Sequence, residues 1–115
     1  MSKVIEYTRN LFGEEDEYKC CYRGNYGNKY GFLVLSNKRL MFLHERGLSA
    51  DFDKVFDVPY DRVADCNCVD RNMISIRDSE GNTHQIQTSA SSKLVEQQIR
   101  EFLPTTPLFS TNVIP

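Results

Sequence analysis

The sequence predicts a mainly β fold: seven short antiparallel strands forming a barrel or sandwich, capped by a C-terminal helix, with a further short helix at the N-terminus. Three observations predict it. Apolar and aromatic runs recur between residues 17 and 89, separated by short stretches rich in Gly, Asn, Ser and Asp, the spacing of strands joined by tight turns. Residues 90–103 instead carry Leu94, Val95, Ile99, Phe102 and Leu103 as one apolar stripe, with Lys93, Glu96, Gln97, Arg100 and Glu101 off it, which is helical periodicity. Such a one-faced helix needs an apolar surface to cover, and the open end or corner of a barrel supplies one.

The elements follow in order. In KVIEYTRNLF, residues 3–12, Val4, Ile5, Thr8, Leu11 and Phe12 fall on one helical face, and Gly13 stops the helix. The acidic run Glu14, Glu15, Asp16, Glu17 reads as a solvated connector. EYKCCYR is a first strand and GNYGN a turn. YGFLVLS, the second strand, is almost continuously apolar, so either both its faces are expected to be covered or one is expected to meet a helix. RLMFLHE follows after the polar hinge Ser36, Asn37, Lys38, Arg39. That hinge reads as a hairpin turn, with Asn37 supplying backbone tolerance and Lys38 and Arg39 keeping the tip soluble. A phosphate-cradling loop would need several glycines beside a helix start. KVFDVPY, with Pro59 near its end, RVADCNCV, MISIRD and THQIQTS complete the seven, and SEGN between the last two reads as a two-residue hairpin turn. Ser89 or Ser91 is placed to cap the final helix, and Pro104 stops it. The chain therefore divides into an N-terminal helix (1–13), a β domain (14–103) and a tail (104–115).

Composition excludes several functions. The chain has 115 residues, 40% hydrophobic and 26% charged, which suits one soluble globular domain. Its net charge is −2 and its pI about 5.6. The basic surplus with which a duplex-binding protein displaces counterions is missing, so no nucleic-acid partner is expected. No run approaches the ~20 apolar residues of a membrane span, and the N-terminus lacks the apolar core of a signal peptide. A cytoplasmic location is expected, where the four cysteines are thiols. Cys20 and Cys21 point to opposite strand faces, and Cys66 and Cys68 share one. Neither spacing is the Cys-X2-Cys of a zinc site. Buried core thiols are expected, with no metal or cofactor. His44 and His84 have no nucleophilic partner near in sequence, and no glycine-rich phosphate loop, nucleophile elbow or paired-acid motif is present, so no enzymatic activity is expected.

The string GFLVLSNKRLMFLHERG, with Gly31, Ser36, Asn37, Lys38, Arg39, Leu40 and Phe42 at the motif positions, resembles the second and third strands of GRAM domains and bacterial YokE-like pleckstrin-homology domains. FDVPYDRVADC, with Val58, Pro59, Tyr60, Asp61 and Val63, resembles their next segment, and LFGEEDEYKC the usual lead-in to the first strand. The resemblance covers about residues 11–103 and implies a pleckstrin-homology-like binding module. Its members bind phosphoinositides, phospholipid surfaces, peptides or other domains, so function must be argued from the site.

In the lipid-binding members the headgroup sits at the open end, between the loops after strands one, three and six, gripped by basic residues of the first two strands. Here Lys19 and Arg23 lie in the first strand, and the second, read as YGFLVLS, has none. Arg23 and Lys29 flank the first loop. Arg46 and Lys54 face Glu45, Asp51 and Asp53 in the next, and Asp78 and Glu80 occupy the last, for a net charge of −1. A polyanionic headgroup needs a positive site, each basic residue being worth about 1 kcal/mol near an anionic surface. The expected function is accordingly an adaptor working through protein contacts, with self-association as one form of it. The alternative is a membrane-surface module meeting anionic lipid weakly through Arg23, Tyr26, Lys29 and Arg46. The candidate ligand residues are Lys19, Arg23, Tyr26, Lys29, Arg46 and Lys54. The candidate protein-contact residues are Leu108, Phe109, Val113 and Ile114 of the tail, expected to cover leftover apolar surface or to pack on a strand edge of this copy or a neighbouring one.

Overall fold

The computed structural model describes residues 2–12, 16–47 and 51–104. Helix α1 (Ser2–Phe12) precedes strands β1 (Tyr18–Tyr26), β2 (Lys29–Ser36), β3 (Arg39–Arg46) and β4 (Asp51–Pro59). A single 3-10 turn (Tyr60–Arg62) leads into β5 (Val63–Asp70), β6 (Met73–Asp78), β7 (Thr83–Thr88) and α2 (Ser92–Phe102). The seven strands form one antiparallel sheet of order β4-β3-β2-β1-β7-β6-β5. Its two halves are joined as a ladder by a short β1–β7 pairing, Gly24 opposite Thr88 and Asn25 opposite Gln87. Two cross-strand partners, Gly24 and Gly31, allow this bend. A Cβ on Gly24 would lie 2.4 Å from the Gln87 carbonyl oxygen, and one on Gly31 1.9 Å from that of Leu43, so only glycine fits.

Two cores result. Inside the folded sheet, Leu33, Leu35, Leu40, Phe42, Phe56, Val58, Tyr60, Cys66, Ile74, Ile76 and Ile86 pack with Val95 and Ile99 of α2. On the outer face of the β1–β4 half, Val4 of α1 packs with Phe32, Val34, Met41, Leu43 and Phe52. The apolar run of β2 is therefore explained by burial on both faces, with α1 as the second cover rather than a plug for the open end. Cys20 joins the inner core and Cys21 the outer one.

Several expectations are corrected. Asp16 is not solvated: its side chain is 1% exposed. β1 runs on through Gly24, Asn25 and Tyr26, so the turn is Gly27–Asn28, with Gly27 at φ 64°, the left-handed region that glycine enters freely. β2 starts one residue early, at Lys29, and so carries a basic residue. The β6–β7 connection takes four residues, 79–82, organised by Asp78, whose Oδ1 accepts from the Glu80 and Asn82 N–H groups at 2.9 Å each. Ser91 stands at the α2 cap without a side-chain bond, and Ser92 ties the helix start through its hydroxyl to the Asp70 carbonyl. Leu94 leaves the predicted stripe, being 54% exposed.

Candidate functional site

Three places gather functional groups. The first is the open end of the sheet. Tyr26 points inward from the end of β1, its ring edge-on to Phe42 and Phe56 at 5.9 and 5.5 Å. Its hydroxyl shares a 2.9 Å hydrogen bond with His84 Nδ1. The His84 ring stacks on Phe56 at 4.2 Å, and its Nε2 lies 3.7 Å from Asp78 Oδ2. Burial pulls the Asp78 carboxyl upward, but the Asn82 and Glu80 donors prevail and hold it below its ordinary range. His84 is thus a half-buried linker between Tyr26 and Asp78. Among the described residues no serine or cysteine hydrogen-bonds it, so a nucleophile-base pair is not assembled there.

Two of the basic residues expected at this end, Arg46 and Lys54, are paired with aspartates. Arg46 lies 3.6 Å from Asp51 and 3.4 Å from Asp53, and Lys54 lies 3.1 Å from Asp57. Lys19 pairs with Glu17 at 3.1 Å and sits toward the opposite end of β1 from Tyr26. Lys29, opposite Tyr26, and Arg23 make no ion pair among the described residues. The Arg23 guanidinium instead lies over the rings of Tyr30 and Phe32, 5.9 and 5.6 Å from their centroids. It borders a hollow of about 370 Å³ lined by Gly24, Asn25, Tyr30, Gln87, Thr88 and Ser89, without a carboxylate. The structure thus sets Lys29 opposite Tyr26 at the β1–β2 turn, turns the Tyr26 ring inward, holds Arg23 on the outer face beside Tyr30 and Phe32, and places Lys19 toward the other end of β1. Leu108, Phe109, Val113 and Ile114 lie outside the described residues.

The second place is the far end, at the hinge of residues 36–39. Ser36 Oγ accepts from the Lys38 and Arg39 N–H groups at 3.1 and 3.0 Å, a hydroxyl turn that shapes the hairpin. Asn37 binds the lead-in to β1: its Oδ1 accepts from Glu17 N–H at 2.7 Å and its N–H donates to the Glu17 carbonyl at 3.0 Å. Arg39 Nε lies 2.7 Å from Asp16 and Nη1 3.2 Å from Asp57. Burial opposes the Arg39 charge, and the two aspartates overcome it, so its pKa lies above the ordinary value. Tyr60 closes the knot by donating to the Ser36 carbonyl at 2.7 Å. These partners are up to 24 residues apart, and no local signal paired Asp16 with Arg39. The hinge is a structural knot, with Arg39 paired rather than solvated.

The third place is the free edge of β5. This strand pairs only with β6 among the described strands, and α2 lies along it. The Cys68 N–H donates to Glu96 Oε1 at 3.3 Å, and Arg100 donates through Nη2 to the Cys66 carbonyl. Glu96 and Arg100 are paired at 2.8 Å. Hydrogen bonds from Arg100 and then Cys68 hold the Glu96 carboxyl below its ordinary range, and the bond to Glu96 raises Arg100. Burial pushes the Cys66 thiol up to about 12, which keeps it protonated and inert, whereas Cys68 is exposed. The expectation of four buried thiols thus holds fully at Cys66 and fails at Cys68. Among the described residues no group of side chains is arranged to hold a metal ion, and no helix is long and apolar enough to cross a membrane.

No protein-family model and no curated protein matches this sequence. Solved structures do match its fold. The C-terminal domain of an unknown protein from Leishmania infantum aligns with TM-score 0.64 at 16% identity, covering 88% of this chain and 99% of that one. A DUF1696 family protein with a pleckstrin-homology domain from Shewanella loihica PV-4 aligns at 0.64 and 13%, covering 88% and 94%. A pleckstrin-homology domain from Shewanella amazonensis SB2B aligns at 0.60 and 12%, covering 90% and 87%. With its seven antiparallel strands and closing helix, the chain has a pleckstrin-homology-like fold.

Proposed function

We propose that this chain is a non-catalytic interaction module acting through protein contacts. The observation that carries the reading is the disposition of its cations. Arg46 and Lys54, which would have to meet a headgroup at the open end, are spent on Asp51, Asp53 and Asp57. Asp78 and Glu80 add negative charge to the neighbouring loop. Arg23 and Tyr30 instead border a hollow of amides and hydroxyls, and Arg and Tyr on such a surface are common anchors of protein interfaces. The likeness to pleckstrin-homology domains supports a binding role, and the GRAM- and YokE-like character of residues 31–47 belongs to the same reading.

The second reading is weak attraction to an anionic membrane surface. It is favoured by Arg23 and Lys29, which make no ion pair among the described residues, and rests on those two, since the Tyr26 hydroxyl and the Arg46 guanidinium are engaged within the domain. Co-sedimentation with neutral and anionic liposomes, at low and physiological salt, separates the readings, because attraction between exposed charges is screened. No salt-sensitive pelleting is expected. Pelleting with anionic vesicles that disappears in Arg23→Glu/Lys29→Glu would replace the first reading with the second.

A further inference from the structure

The far end of the domain holds a hollow that the 36–39 hinge and the end of α2 share. It measures about 400 Å³, and Pro59, Tyr60, Phe102 and Pro104 are its apolar lining. Lys38, Arg39 and Asp61 supply its charged groups. Tyr60 is only 3% exposed, and its ring stacks on that of Phe102, with centroids 5.5 Å apart and planes 15° from parallel. The Tyr60 hydroxyl and N–H are both engaged, with the Ser36 and Lys38 carbonyls. What Tyr60 and Phe102 offer the hollow is therefore ring surface, which an apolar group covers without leaving a polar partner unsatisfied.

The charges favour an uncharged occupant. Arg39 is held by Asp16 and Asp57, and Lys38 and Asp61 have opposite signs. An anionic ligand would meet Asp61 and a guanidinium already paired, and a cationic one would meet Lys38 and Arg39. A neutral segment with large apolar side chains is the best match.

Such a segment leaves from the hollow itself. α2 ends at Phe102, Leu103 is extended at φ −68° and ψ 145°, and Pro104, one of the lining residues, has no N–H with which to continue a helix. The chain goes on as TTPLFSTNVIP, residues 105–115, which carry no charged side chain and include Leu108, Phe109, Val113 and Ile114. From Pro104 to Leu108 an extended chain spans at most about 14 Å. Pro107 fits the second position of a turn over residues 106–109, which would bring Phe109 back beside Thr106. Thr105 and Thr106 are then enough chain to set Leu108 and Phe109 against the hollow. So short a connection also favours this copy's own segment over a neighbour's, because it holds the segment at an effective concentration in the millimolar range.

We propose that this hollow is the docking site of the chain's own segment 105–109, with Leu108 and Phe109 seated on Pro59, Tyr60 and Phe102. Docked there, the segment ties the end of α2 to the 36–39 hinge. Arg23 and Tyr30 line a different hollow, so neither result of the test alters the reading of that face.

The test is NMR on the full chain at low concentration. In the wild-type protein, nuclear Overhauser contacts are expected from the Leu108 methyls or the Phe109 ring to Pro59, Tyr60 or Phe102. Leu108→Ser/Phe109→Ser is expected to remove them and to shift the backbone amides of Lys38, Arg39, Tyr60 and Asp61, leaving those of Arg23 and Tyr30 in place. An equal mixture of isotope-labelled and unlabelled chains shows which copy's segment is seated. Contacts within one copy support the proposal. Contacts that arise only between copies overturn it and make the hollow a site of exchange between chains. Absence of the contacts overturns it whatever the amides do, and so do contacts accompanied by unmoved amides at residues 38, 39, 60 and 61. If the double variant does not fold, the wild-type contacts and the mixture decide alone.

Discussion

At Asp16, a carboxylate with 1% side-chain exposure faces a guanidinium that is itself 37% exposed. The pair is anchored on one side by burial and reached by solvent on the other, so its loss costs less than that of a fully buried pair. Asp16→Ala is expected to lower unfolding free energy by about 2 kcal/mol, measured by urea denaturation. A change within about 0.5 kcal/mol would show that Asp57 alone satisfies Arg39. Glu96 gives a pH prediction. Its carboxyl is held below the ordinary range by Arg100 and Cys68, with Asp65 and Cys66 the other titratable groups near the guanidinium. The folded-state pKa is depressed, so the clamp's contribution is present above the unfolded value of about 4.3 and is lost as pH falls through the folded one. The Cys68 amide resonance is expected to titrate below about 4.3. A midpoint at or above that value would mean that the clamp does not form in solution.

At the scale of elements, α1 and α2 do different work. α2 supplies Val95 and Ile99, both 0% exposed, to the main core. α1 covers a separate outer patch through Val4 and the Tyr7 ring, which sits 5.1 Å from that of Phe52. Removing residues 2–12 is expected to leave the seven strands and α2 in place while uncovering Phe32, Val34, Met41, Leu43 and Phe52, which are at most 5% exposed. Each such side chain is worth roughly 1.5–3 kcal/mol when fully buried, and the helix provides only part of that cover. A loss of about 3 kcal/mol and strong binding of a hydrophobic dye are the expected readouts. A truncated chain with unchanged stability and no dye binding would mean that the outer face is covered in another way. The double-sided burial of β2 was legible in its unbroken apolar run, because a strand with one wet face alternates. Which helix covers which face was not legible, since both amphipathic patterns look alike from sequence.

At the scale of the whole molecule, seven strands and a closing helix followed from local chemistry. Strand propensity, turn residues and the helical stripe of residues 90–103 are short-range signals, and each element stands within a few residues of its expected bounds. The misreadings are also local in origin. GNYGN carries turn-forming residues, yet Gly24 belongs to a strand because a Cβ there would meet Gln87, 63 positions away in the chain. Leu94 fits a helical stripe by count, but α2 turns Ser92, Val95 and Ile99 to the core and leaves Leu94 54% exposed. The site was less legible still. Arg23, Lys29, Arg46 and Lys54 could be counted as charges, whereas which of them is paired, Arg46 and Lys54 with aspartates and Arg23 over the Tyr30 and Phe32 rings, depends on strand register and on the face each side chain takes.

By itself, then, the sequence determined the order and type of the elements, the turn at residues 36–39 and the absence of a basic surplus, because these depend on neighbours along the chain. Only the tertiary structure decided that Asp16 is buried against Arg39, that Tyr26 and His84 are joined, and that Glu96 and Arg100 occupy the β5 edge. Each of those contacts joins residues 23 or more positions apart. Their strength comes from desolvation and from alignment across the sheet, and neither exists until the strands have closed around the core.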